Sequence, residues 1–363
     1  MNSSKKVVVA MSGGVDSSVT AALLKQQGYQ VIGMMLRLWS EPGKEAVNRC
    51  CSPDDLTLAR RIAAQLDIPF YAVDAKDVFY QDVVIPFIDA YAQGTTPNPC
   101  LNCNRSIRWQ FLLDRALALG ADYLATGHYA RIRSHNDDIR LNSNTKFELL
   151  RGIDHSKDQS YVLHILNQAQ LAHAMFPLGA YTKVQVREMA IDFGLPVAHR
   201  NDSQDLCFLG GSDYQSFMIR NAPQVVKPGP ITNLDGEQIG QHQGLAFYTI
   251  GQRKGLGIQS THPLYVIKKE ISTNTLFVGV KGQLGKQDLI AGEVNWISGI
   301  APEQPIGGTI KIRYKAEDTY GRITPQEDGS INIRFTRPLR DITPGQAAVI
   351  YDGEVCLGGG IIR

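Results

Sequence analysis

The sequence predicts an α/β protein with an N-terminal domain on a parallel sheet, a small central domain and a C-terminal antiparallel β-barrel. Up to about residue 200, short β-branched runs alternate with helix-length segments, the pattern of a parallel sheet covered on both faces. Residues 211–285 are rich in glycine and turns. From 286 onward short alternating runs are separated by turns such as Glu327-Asp328-Gly329-Ser330, as in a small barrel. Domains are therefore expected at 1–210, 211–285 and 286–363.

Each element has a local reason. Val7–Ala10 is an apolar run ended by glycines, hence a buried strand. Ser17 to Gln27 sets Val19, Ala22, Leu23 and Leu24 on one face and stops at Gly28, which reads as helix. Tyr29–Leu36 follows as strand and Leu56–Leu66 as helix. Phe70–Val73 is strand, Trp109–Leu119 helix and Tyr123–Thr126 strand. Arg131–Leu150 reads as an inserted hairpin around a polar stretch, Ser134 to Asp138. Leu171–Phe176 and Val184–Phe193 read as helices. In the barrel, Ile310 to Tyr314 and Ile331 to Phe335 alternate strictly, which puts Lys311, Arg313 and Lys315 on one wet face.

Composition narrows the classes of function. The 363 residues are 43% hydrophobic and 20% charged, which excludes a disordered chain, and no apolar run approaches a membrane span. Six cysteines are too sparse for a disulfide scaffold, so a reducing, cytoplasmic location is expected, without a signal peptide. The net charge of +2 argues against a globally basic nucleic-acid binder. Arg334, Arg337 and Arg340 nevertheless crowd together, so local stripes rather than a global excess would hold phosphates, with moderate, salt-sensitive affinity.

The strongest motif is Ala10-Met11-Ser12-Gly13-Gly14-Val15-Asp16-Ser17-Ser18, between a strand and a helix. Glycines allow close backbone approach, and the N–H groups of a helix start attract an anion. Serine hydroxyls add donors, and Asp16 is a candidate magnesium ligand on bound phosphates. No Gly-Lys-Ser/Thr follows, so this is not the Walker loop.

Cysteines supply the second signal. Thr96-Pro97-Asn98-Pro99-Cys100-Leu101-Asn102-Cys103-Asn104-Arg105 holds a C-x-x-C before a helix, where Arg105 and the helix start should lower a thiol pKa. Cys207 lies in a polar turn after His199-Arg200. Two separated, exposed thiols suit sulfur transfer, one carrying a persulfide and the other attacking it. Three alternatives stand beside this. A structural zinc site could use Cys100, Cys103 and Cys207 with Cys50 or Cys51. An iron–sulfur cluster could use the same three cysteines with an open iron. Inert packing suits Cys356, in the core-like run Val355-Cys356-Leu357.

Ser12-Gly13-Gly14-Val15-Asp16-Ser17 resembles the loop of the PP-loop ATP pyrophosphatases, which cleave ATP to AMP and pyrophosphate. Further motifs sharpen the likeness: Thr96-Pro97-Asn98-Pro99 with Cys103-Asn104, Ala125-Thr126-Gly127-His128-Tyr129, Lys157-Asp158-Gln159-Ser160-Tyr161, Asp202-Ser203 with Cys207-Phe208, Gly251 to Gly257, and Thr343-Pro344-Gly345-Gln346. In this order they resemble the tRNA-specific 2-thiouridylase family over almost the whole chain.

The resemblance implies an adenine nucleotide alpha-hydrolase-like N-terminal fold and ATP-dependent thiolation of the wobble uridine of tRNAs of the lysine, glutamate and glutamine type. It implies ATP contacts from Ala10, Met11, Ser12, Gly13, Gly14, Val15, Asp16, Ser17, Leu36 and Gly127. Cys103 would be the nucleophile and Cys207 the persulfide carrier, with a Cys103–Cys207 disulfide left behind. Asn98, Pro99 and Cys100 would touch the target base. His128, Lys157, Asp158, Gln159, Arg313, Tyr314 and Gln346 would contact tRNA. Implied partners are tRNA and a persulfide sulfur-donor protein. Implied cofactors are ATP and Mg2+, with a [4Fe-4S] cluster on Cys100, Cys103 and Cys207 as the alternative to the relay. The family has aspartate or cysteine three residues before the nucleophile; here it is Cys100. Two further readings are an ATP-dependent amide ligase, which lacks a visible ammonia source, and a non-catalytic tRNA-binding module with structural zinc.

Overall fold

A computed structural model describes residues 5–44, 52–134, 147–201, 206–211 and 213–363. Cys50, Cys51, Asp202, Ser203 and the polar tip of the 131–150 hairpin lie outside them. Strands β1 (Lys6–Ala10), β2 (Gln30–Arg37), β3 (Phe70–Asp74), β4 (Tyr123–Ala125) and Ala174–Met175 form one parallel sheet. Its order is β3-β2-β1-β4, with Ala174–Met175 at the far edge. Val7, Val8 and Val9 are all fully buried, as strands covered on both faces must be. Val7 and Val9 pack on α1 (Val15–Gln26) and on the Lys183–Asp192 helix through Val19, Val186 and Ala190. Val8 faces the opposite layer, with Trp109, Leu112 and Tyr161.

Two expectations need correction here. Residues 171–176 do not form one helix: the chain is helical over Gln168–Ala172, then turns into the two-residue edge strand. Pairing of Leu124 with Ala174 and Ala125 with Met175 overrides the local apolar pattern. The helix expected from Trp109 starts at Pro99 instead, capped by the Asn98 side chain on the Cys100 N–H at 3.1 Å. It runs as α-helix over Pro99–Asn102, as π-helix over Cys103–Leu112, and returns to α-helix over Leu113–Ala118.

A central four-stranded sheet comprises Gly229–Thr232, Gln238–His242, Leu264–Glu270 and Thr275–Val280. The C-terminal strands Lys286–Trp296, Ile306–Lys311, Thr319–Pro325, Ile331–Leu339, Ala347–Asp352 and Val355–Ile362 form an antiparallel barrel. It closes where the first strand pairs with the last, Ala291 with Ile362 and Trp296 with Gly358. The inserted hairpin, Ala130–Ser134 with Phe147–Arg151, extends this barrel sheet by pairing Leu149 with Cys356. A hairpin of the N-terminal domain and the barrel therefore share one hydrogen-bonded sheet.

Ile306–Lys311 ends earlier than the alternation suggested. Beyond it Arg313 turns inward, donating to the Ile250 carbonyl at 3.1 Å and to the Thr343 hydroxyl, so Lys311, Arg313 and Lys315 do not share one wet strand face. Among the described residues no helix is long and apolar enough to cross a membrane.

Candidate functional site

The candidate phosphate end of the site is the junction of β1 and α1. Gly14 caps α1 in an extended conformation with no side-chain cap, which leaves the first N–H groups of a twelve-residue helix for a ligand. The Ser12 N–H donates to Ser17 Oγ at 3.2 Å, folding the loop over the helix start. Gly13 adopts a left-handed φ of 71°, and a Cβ there would lie 2.8 Å from the Asp55 carbonyl. Gly127, after β4, approaches backbone just as tightly: a Cβ would lie 2.9 Å from the Asp16 carbonyl carbon. Close approach to backbone is what requires glycine at both positions.

These elements enclose a cavity of about 220 Å³. Its walls include Ala10, Ser12, Asp16, Leu36, Cys103, Arg108, Gly127 and His128. The candidate phosphate loop, Leu36, Gly127 and the candidate nucleophile thus face one space. Cys103 is buried rather than exposed, at 7% accessibility, and also belongs to the cluster of Phe79, Phe87, Ile107 and Phe208. Half-buried Cys207 packs against that same cluster at the head of the short Cys207–Leu209 turn of helix. Phe208 anchors the turn, with its ring 5.1 Å from Phe87 and 5.4 Å from Phe217; burying such a ring is worth about 1.5–3 kcal/mol. Cys103 therefore belongs both to the cavity wall and to the apolar cluster against which Cys207 packs.

The metal suggestions find no assembled ligand set among the described residues. Among the described residues no three His, Cys, Asp or Glu side chains converge as ligands, so Cys100, Cys103 and Cys207 present no assembled cluster or zinc site. Both Asp16 carboxylate oxygens already accept from Lys183 Nζ, at 2.7 and 2.9 Å, and one also accepts from the Tyr129 hydroxyl at 2.8 Å. Asp16 is therefore paired with the Lys183 ammonium at the start of α1.

The segment expected to contact the base is held by the barrel. The Gln346 amide donates to the Thr96 carbonyl at 2.8 Å, and the Thr96 N–H donates to the Pro344 carbonyl at 2.8 Å. Pro99 is buried and Cys100 exposed. Other residues sit elsewhere than expected for a tRNA surface. His128 is buried in the cavity wall, its Nδ1 2.7 Å from the Thr126 hydroxyl. Asp158 is buried too, accepting from the Gly152 and Ser160 N–H groups at 3.1 Å. Gln159 accepts from the Tyr129 N–H at 2.9 Å and lines the cavity. Lys157 is half-buried. Tyr314 is half-buried against Tyr161, its hydroxyl pKa pushed up to about 12 by burial and by nearby Asp158.

Residues 5–211 match the family described as tRNA methyl transferase HUP domain, 216–280 the PRC-barrel domain of the same name, and 286–362 the aminomethyltransferase beta-barrel domain. The tRNA-specific 2-thiouridylase MnmA of Roseiflexus sp. (strain RS-1) is 46% identical over 98% of this chain and 99% of its own. That of Magnetococcus marinus is 46% identical over the whole of both chains. The chain belongs to the tRNA-specific 2-thiouridylase family. A third relative, tRNA-specific 2-thiouridylase MnmA 1 of Caldanaerobacter subterraneus subsp. tengcongensis, is 46% identical over 100% of this chain and 99% of its own.

Motif reading of this family member missed Lys183 and Asp55 and gave Tyr129 and Arg200 no role at the phosphate loop. Lys183 opens its helix behind a Thr182 capping box, a purely local signal that says nothing of Asp16, 167 positions away. Arg200 donates to the Gly13 carbonyl at 2.9 Å and pairs with buried Asp55, bracing the phosphate loop from behind. Arg105, expected beside the thiols, pairs with Glu293 of the barrel at 3.5 Å.

Burial also sets a pH dependence. Desolvation, then the Arg108 cation, lowers His128 to about 3; desolvation lowers His164 to about 4. Unfolded histidine binds its proton near ~6.5, so stability is fully present above that pH. Below it each buried histidine is expected to cost up to about 1.4 kcal/mol per pH unit until its folded value is reached. Urea midpoints measured from pH 7.5 to 4.5 test this, and a flat profile rules it out.

Proposed function

We propose that the protein catalyses ATP-dependent 2-thiolation of the wobble uridine, position 34, of tRNA. Residues 1–210 would be the ATP-binding catalytic domain, 211–285 a linker domain and 286–363 the tRNA-binding barrel. One observation carries the reading: the phosphate loop and Cys103 line the same cavity, and Cys103 borders the cluster that holds Cys207.

The uracil C2 oxygen is a poor leaving group, so it attacks the α-phosphorus of ATP. An O2–P bond forms, the bond to the β-phosphate oxygen breaks, and pyrophosphate departs into the loop at the start of α1. Cys207 carries a persulfide from a donor protein. The Cys103 thiolate attacks the Cys207 sulfur of that persulfide, forming a Cys103–Cys207 disulfide and releasing hydrosulfide. Hydrosulfide adds at C2, the C2–O bond breaks, and AMP leaves. Formation of the disulfide supplies the two electrons that reduce the sulfane sulfur, and an external thiol restores the enzyme. Asn98, Pro99 and Cys100 meet the base, and Gln346 fixes their loop.

Incubation with tRNA of the lysine, glutamate or glutamine type, ATP, magnesium and a persulfide donor is expected to give 2-thiouridine by nucleoside mass analysis. Its absence under aerobic and anaerobic conditions alike overturns the reading. An iron assay on anaerobically prepared protein separates the relay from the cluster chemistry. Phosphate contacts are expected from exposed cations including Arg334 and Arg337. With three or four such contacts, affinity for tRNA should fall roughly 10²-fold between about 50 and 200 mM salt. Equal affinity at the two ends contradicts a phosphate-led interface.

A further inference from the structure

The π-helical run Cys103–Leu112 has a consequence for the cavity. Its bonds span five residues, as in the Leu113 N–H donating to the Arg108 carbonyl, so side chains four and five apart share a face. Cys103, Ile107, Arg108 and Leu112 follow that spacing, and all four line the cavity. An ordinary α-helical period would carry position 108 away from position 103. Among the described residues lining this cavity, Arg108 is the only Arg or Lys, and Asp16, which pairs with Lys183, is the only carboxylate. The Asn104 side-chain oxygen accepts from Arg108 Nη1 at 3.3 Å, while the amide nitrogen of buried Asn104 donates to the Cys100 carbonyl at 2.9 Å. Arg105 points instead to the barrel.

We propose that Arg108 is a catalytic residue whose guanidinium grips the α-phosphoryl group that becomes the AMP leaving group. The proposal rests on the thiolation reading above. Pyrophosphate is taken at the start of α1, so the α-phosphate faces the opposite wall, where Arg108 stands beside Cys103. A planar guanidinium offers two parallel donors to the non-bridging oxygens. It stabilises charge when O2–P forms and pyrophosphate leaves, and again when the C2–O bond breaks and AMP departs. Arg108 keeps its proton throughout, so neither step changes in atom or electron balance.

The test uses the full chain with tRNA, ATP and magnesium. Single-turnover pyrophosphate release is measured alongside the pH profile of Cys103 alkylation. Arg108→Gln should slow release by about 10²–10³-fold with the alkylation profile unmoved. Arg108→Lys, which keeps the charge but loses the fork, should recover about tenfold of that loss and serves if the Gln variant does not fold. Wild-type release in either variant overturns the proposal. So does a shifted alkylation profile with release intact, which would make Arg108 a thiolate-stabilising group. If wild-type enzyme makes 2-thiouridine while the variants adenylate normally, only this inference fails. If wild-type enzyme makes none, the thiolation reading itself fails.

Discussion

Replacing Cys103 with serine is expected to lower 2-thiouridine formation by at least about 10³-fold while pyrophosphate release persists, because removing a nucleophile commonly costs that much or more. A serine hydroxyl neither ionises near neutral pH nor attacks sulfur, so the persulfide on Cys207 would stay unresolved. Adenylation needs the phosphate loop and cavity, not this sulfur atom, and should continue. Cys207→Ser is expected to abolish thiolation equally and leave tRNA binding intact. The measurements are nucleoside mass analysis and single-turnover pyrophosphate release on the same samples. Full thiolation by either variant removes that cysteine from the mechanism. Loss of both steps in Cys103→Ser would mean the change damages the fold, and Cys103→Ala then tests this by lacking the buried hydroxyl.

In the proposed mechanism a buried thiol can still serve. Cys103 is closed off on the side of Phe79 and Phe208 but open toward the cavity. Cys207 packs against that same apolar cluster, so in the proposed relay hydrosulfide would be released beside the cavity.

Local signals made much of this legible in the sequence. β1, α1 and β2 are spelled out by β-branched runs, a glycine loop and a helix stop, and they alone place the candidate phosphate loop. Cys356 reads as core and is buried. What stayed hidden depends on distant partners. The strand Ala174–Met175 is too short to carry a periodic pattern and exists because β4 offers an edge. The π register cannot be read from an apolar period that fits an α-helix nearly as well, so Arg105 looked like the cation beside the thiols when Arg108 faces the cavity. Lys183 and Asp16 meet only once the Lys183–Asp192 helix docks on α1. Arg313 looked wet because the alternation continues in the sequence past Lys311, where the strand itself ends.

Substituting valine for Gly127 should raise the concentration of ATP needed for half-saturation by about 10²-fold or more. A Cβ at 127 would lie 2.9 Å from the Asp16 carbonyl carbon and 3.0 Å from the Ser17 backbone nitrogen, and backbone cannot swing aside as a side-chain tip can. The turn after β4 would have to back away from α1, moving the donors that meet phosphate; misplacement of about 1 Å commonly costs 10²-fold. Overpacking adds about 1–3 kcal/mol of destabilisation. Alanine carries the same Cβ and should show most of the effect, whereas Gly282→Ala, where a Cβ meets open space, should show none. Calorimetric titration with ATP decides the matter. Wild-type affinity in Gly127→Val would mean that nucleotide does not depend on the contact between this turn and the start of α1, and the cavity would lose its claim to the phosphate.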